Sequence, residues 1–125
     1  MRKLILLSIF FALPAFATEA FNIDGVRHTF STNKEKRITI NNVCKTNKKC
    51  MALTTLKSLS MSAVAATDLS GGANPGPILC EQQAKGKVVM GLDPNGNQNS
   101  FCIFSDGSII DNGTLTYYGI TNDRK

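Results

Sequence analysis

Hydrophobic and polar positions divide this chain into one continuous apolar run at its start and a series of short, punctuated segments after it. Phe21, Ile23, Val26 and Phe30 bracket Asp24-Gly25, the pattern of a short hairpin. Ser31 to Arg37 is polar and basic and predicts a turn, and Arg37 to Val43 alternates as a half-buried strand does. Ala52, Leu56, Leu59 and Ala63 recur at i, i+4, i+7 and i+11, one helical face, which predicts a helix over about Lys49 to Ser60. Leu59 to Ala63 also alternates with period two, so Leu59 to Ser70 stays open between irregular and extended structure.

Gly71 to Gly119 is the most densely punctuated stretch. Asp68 to Pro77 is loop by composition. Asn74 is placed to cap a helix of about ten residues with Pro75 at its first position, and Gly86 stops it. Lys87 to Leu92 and Ser100 to Phe104 read as strands around Asp93-Pro-Asn-Gly-Asn, a turn suited to positive φ. Asp106-Gly107 turns the chain into Ser108-Ile-Ile. Asn112-Gly113 predicts a last turn before Leu115 to Tyr118, which reads as a final strand or a short helix. These elements sum to an α+β domain: a small, mainly antiparallel sheet with one or two short helices.

The apolar run changes the picture of where the protein works. Arg2 and Lys3 precede Leu4 to Ala17, which ends in Ala15-Phe16-Ala17, the pattern of a signal peptide cleaved before Thr18. As a helix the run reaches about 21 Å, short of a hydrocarbon core of roughly 30 Å. The expectation is a secreted or periplasmic protein, with residues 1–17 removed. The remaining chain divides into a basic, β-rich portion with one helix (18–70), the segment 71–119 and a C-terminal tail (120–125). Without Arg2 and Lys3, the 14 basic residues fall to 12 against 9 acidic ones, a net charge of +3. Thr18 to Lys57 carries eight basic and three acidic residues, and the remainder four and six.

Four cysteines in an exported chain predict two disulfides. Loop entropy does not choose among the three connectivities, since the seven-residue ring is worth about 2.4 kcal/mol and the 23-residue ring about 3.4, with crossed pairings of similar size. Local topology favours Cys44–Cys50 with Cys80–Cys102, because each pair then lies within one structural unit.

Candidate chemistry is sparse. His28, the only histidine, sits between Arg27 and Thr29 with no nucleophile motif beside it, and a solvated strand residue is the better reading. Asp93, Asn95, Asn97 and Asn99 echo a calcium loop, but Gln98 stands where glycine is needed and Phe104 where a bidentate glutamate is needed. A hairpin turn explains them without a metal. Asn112-Gly-Thr114 matches a glycosylation sequon. The basic run Lys34, Lys36, Arg37, Lys45, Lys48 and Lys49 lacks interleaved aromatics, and with export it argues against nucleic acid. It leaves Lys45, Lys48 and Lys49 as contacts for an anionic surface. No catalytic residue, metal ligand or cofactor motif is assigned.

Ala73-Asn74-Pro75, Cys80 soon after, Cys102 two residues before Phe104, and then Asp106-Gly107 resemble a family of small bacterial exported domains of unknown function, often labelled hemolysin. The likeness covers about Gly71 to Gly119. This chain departs from the family pattern in carrying Thr-Leu-Thr-Tyr-Tyr where a tryptophan is common, and in lacking a lipoprotein cysteine, which implies an unanchored protein. The resemblance implies no catalytic residues. The expectation is therefore a non-enzymatic, monomeric binding module for an envelope or extracellular partner, either a protein or an anionic component, with an inhibitor-like role as one form of it. The alternative, from the family label, is a membrane-active or hemolysin-associated factor without an integral span.

Overall fold

The computed structural model describes Ile9 and residues 16–125. Apart from Ile9, Phe16 and Ala17, the expected signal peptide lies outside the described residues. The strands are β1 (Phe16–Ile23), β2 (Val26–Asn33), β3 (Ile38–Asn41), β4 (Lys87–Leu92), β5 (Gln98–Ile103) and β6 (Ile109–Asp111). Four helices, α1 (Val43–Thr46), α2 (Met51–Thr54), α3 (Pro75–Gln82) and α4 (Asn112–Asp123), accompany them, with 3₁₀ segments at Thr55–Ser58 and Ala66–Gly72.

The strands form two antiparallel meanders, β1-β2-β3 and β4-β5-β6, that close into a six-stranded barrel. One bridging pair joins each seam: Ile40 with Ile110 between β3 and β6, and Asn22 with Leu92 between β1 and β4. The sheet is antiparallel and joined by short helices, as expected, but the expectation of a small sheet with one or two helices is corrected here, because the sheet closes into a barrel and four helices lie among the described residues. Nothing local announces this closure, since the seam partners lie far apart in the chain.

The β1–β2 hairpin turns at Asp24-Gly25, with φ of 51° and 81°, and Asn22 Oδ1 accepts from the Gly25 amide at 2.9 Å. Beyond it β2 continues through Ser31, Thr32 and Asn33, which pair with Ile40, Thr39 and Ile38. The sequence predicted a turn from Ser31, and pairing with β3 overrides that polar composition. The turn proper spans 34–37, where Asn33 Oδ1 accepts from the Lys36 amide.

Residues directly opposite one another across a ladder share a face of the sheet, so the register separates lumen from exterior. Phe21, Ile23, Phe30, Val89, Phe101 and Ile109 fill the lumen. The rings of Phe30 and Phe101 stack at 4.6 Å, and Phe21 meets Phe101 edge-on at 4.9 Å. Each such pair contributes about 0.5–1.5 kcal/mol beyond its burial. Gly91 admits this packing, since a Cβ there would lie 2.7 Å from the Phe101 ring. A second core lies outside the barrel, where Leu56, Leu59, Leu79, Leu115, Cys80 and the Cys44–Cys50 disulfide cluster with the outward-facing Cys102 and Ile110.

That outer layer is built on α3 and α4. Asn74 caps α3, its side chain accepting from the Gly76 amide at 3.0 Å, and Pro75 takes the first helical position. Asp111 caps α4 through the Gly113 amide. Asn112-Gly113, predicted as a turn, is the first turn of this twelve-residue helix. The helix continues past residue 119 into the expected tail, where Asn122 Nδ2 donates to the carbonyls of Leu56 and Leu59 at 2.8 and 2.9 Å. Asp123 accepts from Ser60 Oγ and the Ser62 amide, each at 2.7 Å. These contacts, with Gln83 bonding both ways to the Ser60 backbone, hold the irregular segment the sequence left open.

Candidate functional site

One row of paired residues runs around the barrel exterior: Val88, Cys102, Ile110, Ile40, Ser31, Thr18. Its first half is covered by the helices, and Cys102 and Ile110 are fully buried. Its second half lines an open groove of about 590 Å³. Ile38, Ile40, Leu53 and Cys44 supply the apolar floor, Thr18, Ser31 and Asn33 a polar wall, and Lys36, Lys45 and Lys48 the charged rim. Among the described residues the lining holds no carboxylate.

The disulfide Cys44–Cys50, with Cα atoms 5.5 Å apart, positions two of those lysines. Both cysteines are fully buried in the outer core, so the basic loop between them is anchored at each end. Within it α1 makes a single turn, closed by the Asn47 amide on the Val43 carbonyl. Lys45 and Lys48 reach the groove from this loop and Lys36 from the β2–β3 turn. Lys49, the third lysine expected at an anionic contact, is exposed but does not line the groove. The basic run is thus divided, because Lys34 and Arg37 line a different cleft.

Ser31 is the wall residue that sequence reasoning missed. It is 6% exposed, and its Oγ has no hydrogen-bond partner among the described residues. Buried hydroxyls ordinarily find partners. Its polar character placed it in a predicted turn, and only the register with Ile40 turns it toward the groove.

No family model, curated protein or solved structure matches this chain. The functional reading therefore rests on the geometry.

The cleft holding Lys34 and Arg37, about 400 Å³, is also lined by Thr32, Thr39, Asp111, Thr114 and Tyr117. Its polar groups largely satisfy one another. Thr32 and Thr39 share a hydrogen bond at 2.9 Å, the Thr39 amide donates to Thr114 Oγ1, and Arg37 lies 5.0 Å over the Tyr117 ring. Burial pushes the Asp111 carboxyl up, the Gly113 amide pulls it down, and the Glu19 charge adds to the rise. A cleft of mixed charge and paired groups offers a ligand less than the lysine-rimmed groove.

The motif residues do structural work. Gly107, with φ of 83°, turns the chain so that Asp106 faces the start of α2. There Asp106 Oδ2 accepts from the Met51 amide at 2.8 Å, and Oδ1 accepts from the Ser108 amide at 2.9 Å and from the Ser108 hydroxyl. Ser108 Oγ accepts in turn from the Ala52 amide. Burial raises the Asp106 carboxyl, but these hydrogen bonds outweigh it and hold the group below its ordinary value. Phe104 is buried in the outer core, and Ala73 lies exposed before the α3 cap. The pairing Cys80–Cys102, Cα to Cα 5.7 Å, ties α3 to β5.

The remaining candidates resolve plainly. His28 is half-buried opposite Phe21 in the β1–β2 ladder. No cysteine is free. Asp93 accepts from the Asn95 and Asn97 amides and from Asn97 Nδ2, closing the hairpin turn on itself. Asn112 is 1% exposed at the start of α4, which withholds the sequon from modification in the folded protein.

Proposed function

We propose that the protein is an exported, non-enzymatic binding module whose site is the groove on the outer face of β1–β3. The observation that carries this reading is the convergence of Lys36, Lys45 and Lys48 on a concave, apolar-floored surface without a carboxylate. Cations of one sign gathered from separate elements favour an anionic partner and speed its arrival. Export, read from the first 17 residues, makes that partner an envelope or extracellular component. The two disulfides accord with an oxidising compartment. The hemolysin-like family suggested by residues 71–119 fits as a scaffold, since its motif residues cap helices and tie the layers.

The membrane-active alternative has less to support it. Aromatic rings fill the barrel lumen, and among the described residues no helix is long and apolar enough to cross a membrane. The test is retention of partners from envelope and culture fractions by the mature protein and by Lys45→Glu/Lys48→Glu, with Lys85→Glu as control. Partner capture should be lost in the groove variant and kept in the control. Equal capture by all three would overturn the assignment, and dye release from liposomes by the unmodified protein would favour the alternative.

A further inference from the structure

We propose that the β1–β3 groove takes a small amphipathic organic anion: a carboxylate on an unbranched acyl chain, its head on the lysine rim and its chain over the isoleucine floor. This rests on the groove being the binding site and adds the chemistry of its occupant. The groove's 590 Å³ lies within the roughly 300–1,000 Å³ typical of small-molecule sites. Lys36, Lys45 and Lys48 leave the rim's charge without an acidic counterpart in the lining. A single anionic head group answers it.

The floor and wall narrow the class further. Ile38, Ile40 and Leu53 are only partly buried, so apolar surface remains for a ligand to cover, and inorganic phosphate would leave it bare. A peptide strand is a poorer fit. The groove lies on a sheet face, where β2 is paired on both sides and only the outer margins of β1 and β3, beyond their single-pair seams, leave any sheet edge. An acyl chain asks for none. Beside Thr18 and Asn33 in the wall of the same groove, Ser31 supplies a neutral donor, a nearly fully buried hydroxyl without a partner among the described residues, and a carboxylate oxygen accepts from it.

The experiment is calorimetric titration of the intact mature protein at low salt with decanoate below its micelle threshold. Decanol serves as the neutral counterpart, inorganic phosphate as the head group alone, and phosphatidylglycerol vesicles as the bilayer source. Decanoate should bind one to one, at least about tenfold tighter than decanol or phosphate, and weaken by about tenfold or more in Lys36→Glu/Lys45→Glu/Lys48→Glu. Lys85→Glu, outside the groove, should bind like the unmodified protein, and Ser31→Ala should bind severalfold more weakly. Decanol binding as tightly as decanoate, phosphate alone matching it, binding to vesicles only, or an unaffected triple variant would each overturn the proposal. Should decanoate fail while the groove variant still loses its captured partner, the groove is a site for another chemistry and only this inference falls. Failure of both removes the groove itself.

Discussion

The two halves of the barrel are built alike and finished differently. Each is a three-stranded antiparallel meander, yet the exterior of β4–β6 is sealed by α3 and α4, whereas the exterior of β1–β3 is left open beside one disulfide-tied loop. The sealed half has the marks of a surface selected for fit. Glycines stand where its helices touch: a Cβ on Gly76 would collide with the Asn112 backbone, and one on Gly119 would lie 3.0 Å from Leu79 Cδ1. Among the described residues each half keeps one orphan polar atom, Ser31 Oγ in the open one and Asn112 Oδ1 in the sealed one, but only the open half gathers three lysines with no carboxylate beside them. In one molecule, close packing marks the surface that serves stability, and uncompensated charge over partly buried apolar side chains marks the surface available for binding.

The largest expected effects come from the disulfides. Urea melts of Cys80→Ala/Cys102→Ala should show a loss of about 3.4 kcal/mol from ring entropy, within the 2–5 typical of small secreted domains. For Cys44→Ala/Cys50→Ala the same relation gives about 2.4 kcal/mol. Both pairs are fully buried in one core cluster, so the difference should be modest. A larger loss from the Cys44–Cys50 pair would reverse the assignment of the sealed half as the stability-bearing one.

Gly76→Ala tests the helix contact directly. The added methyl meets backbone that cannot rotate away, and overpacking of this kind costs about 1–3 kcal/mol. Gly113→Ala, whose Cβ would make ordinary contact at 3.4 Å with Asp111 Oδ2, should instead be neutral or gain up to about 1 kcal/mol. Thermal melts showing equal effects would sink the close-approach explanation.

Asp106→Asn probes the clamp on α2 and should cost at most about 1 kcal/mol at neutral pH, since one amide NH₂ would face backbone donors but the site is exposed and water offsets part of the loss. The Asp106 carboxyl is held below its ordinary value in the folded state. Its stabilisation is therefore fully present above the unfolded pKa of about 3.9 and is lost as pH falls through the lower folded value. The variant should flatten the decline in stability on acidification over that window. An unchanged acid profile would show that the clamp does not depend on the charge.

The smallest effect belongs to the open half. Ser31→Ala removes a buried hydroxyl that bonds nothing, so stability should hold or rise by up to about 1 kcal/mol. A clear loss by denaturant melt would mean that Ser31 serves the fold and not the groove.

Much of the molecule was decided by neighbours in the chain. Asp24-Gly25 dictates a hairpin because both positions take positive φ, and Asn74-Pro75 dictates a helix start because one caps and the other fits the first turn. The local disulfide pairing follows from the same short-range geometry. Tertiary structure decided what depends on distant partners. Barrel closure needs Ile40 to meet Ile110 and Asn22 to meet Leu92, and no local pattern encodes a seam of one pair. Ser31 to Asn33 became strand because β1 and β3 offered them partners on both sides. The α4 segment, rich in Asn, Gly, Thr and Tyr, has weak helix propensity and is helical because Leu115 and Gly119 are buried against the outer core. The lysines were legible as charge, but which of them face one groove was not. That follows from the β2–β3 register and from the anchoring of the Cys44–Cys50 loop, which bring Lys36 to the same surface as Lys45 and Lys48 and leave Lys49 outside it.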